Sequence, residues 1–132
     1  MLTELIEEIY NNNPEIESLA CAHNIASNPQ ALNGLPQEVT KQVQAQIREQ
    51  FGDILELVHG SETELPVTLN WKENSSFTDE FDLEFAGEAG YIVIAQVPVE
   101  RIKFYLPDEN EFVITAGQLN CEVESVVEYF GL

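Results

Sequence analysis

Tyr91-Ile92-Val93-Ile94-Ala95-Gln96-Val97-Pro98 is almost wholly apolar and rich in β-branched side chains. A run of this kind reads as a central strand. Pro98 breaks it, because proline has no N–H to give to a ladder. A period of two continues on both sides. Ile54 to Val58 reads as a strand, and Val67, Leu69 and Trp71 alternate in the next. Ile102, Phe104 and Leu106 alternate with Lys103 and Tyr105, which places the first three inward. Glu111 to Thr115 and Leu119 to Val123 supply two more strands. Asn74-Ser75-Ser76 reads as a turn, and Asp79 to Ala86 as a short helix with Phe81, Phe85 and Ala86 inward. The last residues, to Phe130, fit strand and helix equally well.

The front of the chain has a different period. Leu2, Leu5, Ile6, Ile9 and Tyr10 recur at helical spacing and form one apolar face. Asn11-Asn12-Asn13-Pro14 ends that helix, and Asn13 and Pro14 suit the cap and first position of another. Ile16, Leu19, Ala20 and His23 share its face. Pro36 opens a third helix, in which Val39, Val43, Ile47 and Phe51 keep a four-residue spacing until Gly52-Asp53. The expected fold class is α+β, with N-terminal helices followed by a mostly antiparallel β-sheet. Its 132 residues suit one domain, a helical front over 1–52 and a strand-rich core over 53–132.

Charge narrows the function. Twenty-four Asp and Glu face five Lys and Arg, a net charge of −19. Nucleic-acid binding relies on cations neutralising phosphates, so direct binding to nucleic acid is not expected. Anionic membrane surfaces are repelled by the same field, and no apolar run approaches the ~20 residues of a membrane span. Met1-Leu2-Thr3-Glu4 lacks the basic start of a signal peptide, so a cytoplasmic location is expected. Cys21 and Cys121 lie a hundred residues apart in apolar surroundings and read as buried thiols. His23 reads as a hydrogen-bonded helix histidine. Asp79-Glu80-Phe81-Asp82-Leu83-Glu84 lacks the glycine and the length of a calcium loop, and reads as a solvated acidic face. No metal site is expected.

Three stretches bear on chemistry. Leu57-Val58-His59-Gly60-Ser61 ends a strand. Trp71-Lys72-Glu73-Asn74-Ser75-Ser76-Phe77-Thr78 leads into Asp79-Glu80-Phe81-Asp82-Leu83-Glu84-Phe85-Ala86-Gly87. Leu106-Pro107-Asp108-Glu109-Asn110-Glu111-Phe112-Val113-Ile114 follows the Val97-Pro98 break. Singly, each reads as an ordinary turn, strand start or edge. In this order, residues 54–115 resemble the catalytic core of mono-ADP-ribosyltransferases. In that family a His-Gly-Ser or Arg-Gly strand end precedes a Ser-Phe-Thr strand. A short helix ending in Phe-Ala, an apolar strand with a Val-Pro turn, and a Glu-x-Glu strand follow.

The resemblance implies transfer of ADP-ribose from NAD to a macromolecular acceptor. Loss of nicotinamide leaves an oxocarbenium-like ribose that a carboxylate stabilises. By resemblance that carboxylate is Glu111, with Glu109 positioning or deprotonating the acceptor. Ser76 and Thr78 would hold Glu111 and the nicotinamide ribose. His59 and Gly60 would contact the adenosine-side ribose and the nicotinamide amide, and Phe77 or Tyr91 would stack on the nicotinamide ring.

A second function class is a non-enzymatic acidic inhibitor or adaptor that binds the basic surface of a partner protein, including one that mimics nucleic acid. Residues 62–88 carry eight acidic side chains and one lysine, and form the obvious patch. The same charge also serves solubility.

Overall fold

The computed structural model describes residues 1–20, 32, 34–61, 68–71, 75–79, 90–107 and 110–131, with only the backbone described for 68–71, 75 and 76. The expected short helix over Asp79–Ala86 lies outside these residues except at Asp79, which is a bend. Cys21, His23 and most of the 62–88 acidic stretch lie outside them too.

Three helices come first: α1 (Leu2–Asn12), α2 (Pro14–Leu19) and α3 (Gln37–Phe51). Their apolar stripes bury Leu2, Ile6 and Ile9 on α1, Ile16 on α2, and Val43 and Ile47 on α3. Asn13 stands between the first two helices, but not as the expected side-chain cap: its amide Nδ2 donates backwards to the Ile9 carbonyl at 3.1 Å. Leu19, expected on the buried face, is instead 39% exposed; α2 is short and buries only Ile16. Gly52, at φ +93°, turns the chain out of α3 in a conformation that side chains strongly disfavour.

Seven strands follow: β1 (Ile54–Ser61), β2 (Thr68–Trp71), β3 (Ser75–Thr78), β4 (Tyr91–Pro98), β5 (Ile102–Leu106), β6 (Glu111–Ile114) and β7 (Gly117–Ser125). A 3-10 turn, Val99–Arg101, links β4 to β5, and α4 (Val126–Phe130) follows β7, which settles the end of the described chain as helix. Ser125 caps α4, its Oγ accepting from the Glu128 N–H at 3.2 Å. The strands form one sheet in the order β2-β7-β4-β1-β3-β6-β5, and every neighbouring pair is antiparallel. The α+β class and the interior position of the Tyr91–Pro98 strand are therefore as expected.

Register assigns the faces. Leu55 pairs with Val97, Leu57 with Ala95, and Ala95 in turn with Cys121. These residues join the helix stripes in one core, together with Phe77, Phe112 and Ile114. The alternate positions Glu56, Gln96, Asn120 and Glu122 are exposed on the opposite face. β5 departs from alternation. A bulge between Ile102 and Phe104 shifts its register against β6, and Phe104, Tyr105 and Leu106 are all buried. Tyr105, expected outward, packs its ring 4.9 Å from that of Phe112. The bulge adds one residue to the strand and so resets which side the following side chains take.

Polar contacts tie α3 to the strands. Gln44 Nε2 donates to the Ile102 carbonyl at 2.9 Å. Arg48 pairs with Asp53 at 2.8 Å and Glu100 at 2.9 Å. Arg101 is spent within the fold: it donates to the Thr115 hydroxyl and carbonyl and to the Gln118 carbonyl. Among the described residues no helix is long and apolar enough to cross a membrane.

Candidate active site

The three chemistry-bearing stretches fall on laterally consecutive strands, β1, β3 and β6. The junctions between those strands differ sharply. β1 is laddered to β4 along its whole length, from Ile54 opposite Pro98 to Ser61 opposite Tyr91. β3 is likewise laddered to β6, from Ser75 opposite Ile114 to Thr78 opposite Glu111. Between β1 and β3 a single pair, Val58 with Thr78, remains among the described residues. Among the described residues the sheet therefore has a seam, with β2, β7, β4 and β1 on one side and β3, β6 and β5 on the other.

Glu111 and Thr78 share a register row at the seam, since Val58 pairs with Thr78 and Thr78 with Glu111. Directly opposite residues in adjacent antiparallel strands have neighbouring side chains on one face. Thr78 donates its hydroxyl to the Asn110 carbonyl at 2.8 Å, beside Glu111. Glu111 is half-buried, and β5 lies outside its strand, so it is not on a sheet edge. Ser76 lies opposite Val113, two positions before Thr78 along β3.

His59 belongs to the other side of that row. It pairs with Val93 and follows Val58 by one residue. Its ring stacks on that of Phe77, centroids 5.1 Å apart and planes tilted by 33°. Phe77 is fully buried. Gly60 pairs with Ile92. Tyr91 pairs with Ser61 and Ser125, so β1 separates it from β3. Thr78 and Glu111 are thus brought together, as are His59 and Phe77, whereas Tyr91 stands apart from both. Glu109 lies outside the described residues.

Asn110, immediately before Glu111, links two further residues, Tyr105 and Asp79. Asn110 has φ +51°, the left-handed region that asparagine tolerates better than most side chains. Its Oδ1 accepts from the Tyr105 hydroxyl at 2.7 Å, and its Nδ2 donates to Asp79 Oδ1 at 2.6 Å. Burial, reinforced by the nearby Asp79 charge, holds the Tyr105 phenol above its ordinary pKa, so it stays a donor. The available signal was the turn composition Leu106-Pro107-Asp108-Glu109-Asn110, which marks a tight reversal needing such a residue.

A second feature lies on the exposed face. Glu56, Ile94, Gln96, Asn120, Cys121 and Glu122 line a half-open concavity of about 400 Å³. Two carboxylates and two carboxamides face it, and among the described residues no basic side chain does. Cys121 is a free thiol; burial raises its pKa, which disfavours the reactive thiolate. Among the described residues no group of three or more His, Cys, Asp or Glu is arranged to hold a metal ion. No family model, curated protein or solved structure matches the chain.

Proposed function

We propose that the protein is an ADP-ribosyltransferase-like enzyme that uses NAD as donor and a macromolecule as acceptor. The observation that carries this reading is the seam. Stretches far apart in sequence converge on it, with Thr78 and Glu111 in one row and the His59–Phe77 stack beside them. In the reaction the bond between ribose and nicotinamide breaks, and nicotinamide leaves with the bonding pair. Glu111 stabilises the positive charge left on the ribose. A nucleophilic atom of the acceptor then bonds to that carbon, and Glu109 takes its proton. Ser76 and Thr78 hold the ribose edge, and His59 and Gly60 hold the adenosine side.

The test is release of nicotinamide from NAD, with labelled NAD to follow transfer. Glu111→Gln is expected to lower turnover about 100-fold or more, because it removes the charge and keeps the shape. Absence of both nicotinamide release and calorimetric NAD binding overturns the reading. Ionic strength gives an independent signature. NAD carries an anionic pyrophosphate, and the protein is −19. Both arginines are already paired within the fold. The apparent KM is therefore expected to fall as salt screens the repulsion between about 0.01 M and 0.15 M.

The carboxylate-lined concavity favours a second reading, an acidic binding module for a basic protein surface. That reading calls for binding that weakens steeply with salt and is lost in Glu56→Gln/Glu122→Gln. Salt-insensitive binding counts against it.

A further inference from the structure

Asn110 is the turn residue immediately before β6, and its carbonyl, side-chain oxygen and side-chain nitrogen each meet a different residue. Its carbonyl accepts from Thr78 on β3, its side-chain oxygen from Tyr105 on β5, and its side-chain nitrogen donates to Asp79, just beyond β3. The turn is therefore fastened to the strands on both flanks of β6. The next residue, Glu111, pairs with Thr78 on one flank and Leu106 on the other. Few side chains suit this position. It must accept φ +51°, accept a proton bond from a phenol, and donate one to a carboxylate at the same time. Asparagine does all three; aspartate at neutral pH lacks the donor, and glycine lacks both groups.

We infer that Asn110 is a positioning residue, which fixes the backbone entering β6 so that Glu111 is held against Thr78 at the seam. Its role in turnover rests on the transferase reading; its role as a clamp does not. The amide group touches Tyr105 and Asp79, so its loss acts through Glu111. A displacement of about 1 Å at a reacting group lowers turnover on the order of 100-fold. Asn110→Gly keeps the left-handed backbone and removes both side-chain bonds. Asn110→Asp keeps the shape and the Tyr105 bond, but sets two carboxylates at hydrogen-bond distance. At neutral pH the two charges repel, and as pH falls a shared proton joins them.

The experiment measures nicotinamide release and amide hydrogen exchange on wild type, Asn110→Gly and Asn110→Asp. For Asn110→Gly, kcat is expected to fall about 10- to 100-fold with KM for NAD within about twofold. For Asn110→Asp, the activity ratio to wild type is expected to rise as pH falls from 8 toward the carboxylate range of roughly 4–5, a signature that simple loss of structure does not produce. In Asn110→Gly, exchange is expected to quicken about tenfold or more at Glu111 and Phe112 and to stay unchanged at Ala95 in β4. Full kcat in Asn110→Gly, where wild type turns NAD over, overturns the inference and leaves the transferase reading intact. If wild type releases no nicotinamide, the transferase reading fails, and the exchange data decide the clamp. Quickening at Glu111 and Phe112 with none at Ala95 supports it, and unchanged or uniformly altered exchange overturns it.

Discussion

Along β4 the side chains from Val93 to Val97 alternate between the core and the other face, and β7 repeats the pattern from Leu119 to Glu122. Along β5 three successive residues, Phe104, Tyr105 and Leu106, are buried, and β6 buries Phe112, Val113 and Ile114 in the same way. The two halves of one sheet thus solve burial differently. The half built on β1, β4 and β7 has one buried face and, around Glu56, Gln96, Asn120 and Glu122, one exposed face that bears carboxylates; only near Val58 and Ile92 is that second face buried as well. The half built on β5 and β6 is covered on both sides, although β5 is the outermost strand. The open half leaves Glu56 and Glu122 free for water or a partner, while the covered half anchors the residues around Glu111.

The contrast breaks first at Phe112. It is fully buried between the rings of Phe51 and Tyr105. Phe112→Ala is expected to cost about 3–5 kcal/mol in denaturant unfolding. Next comes Gly117, at φ +133°, where a β-carbon would lie 3.2 Å from Arg101 Nη2. Gly117→Ala strains the backbone and presses on a guanidinium fastened to Thr115 and Gln118, with an expected loss of about 1–3 kcal/mol. An alkaline titration sharpens the view of the covered half. The folded Tyr105 phenol holds its proton to higher pH than the unfolded one. Between those two pKa values the folded state binds more protons, so stability is expected to be full below about pH 10 and to fall above it. Tyr105→Phe flattens that part of the profile. The smallest effect belongs to the open half: Glu122→Gln is expected within about 0.5 kcal/mol of wild type.

Much of this was legible in the residues. The apolar periods of α1, α3 and β4 placed the helical front and the central strand, because burial on one side of a regular element leaves a regular trace. Tyr105 was misplaced because the bulge at Lys103 is set by tertiary packing and leaves no mark in a short alternating run. The apolar alternation of β1 ends at Val58, yet the strand runs to Ser61. His59 and Gly60 look like turn residues, but β4 supplies their ladder partners, and pairing outweighs weak local propensity. At the candidate site, Glu111, Thr78 and His59 stood out by residue type. Asn110 did not, since its importance lies in a left-handed backbone and three distant partners.

The seam has a consequence for how the molecule holds together. With Val58–Thr78 as the described rung between the half-sheets, their alignment depends on what lies across them. α3 packs on β1 in one half and on β5 in the other. It also grips the turn between β4 and β5 through Gln44 and Arg48. That helix acts as a splint. Together with the single core shared by both halves, it couples their alignment.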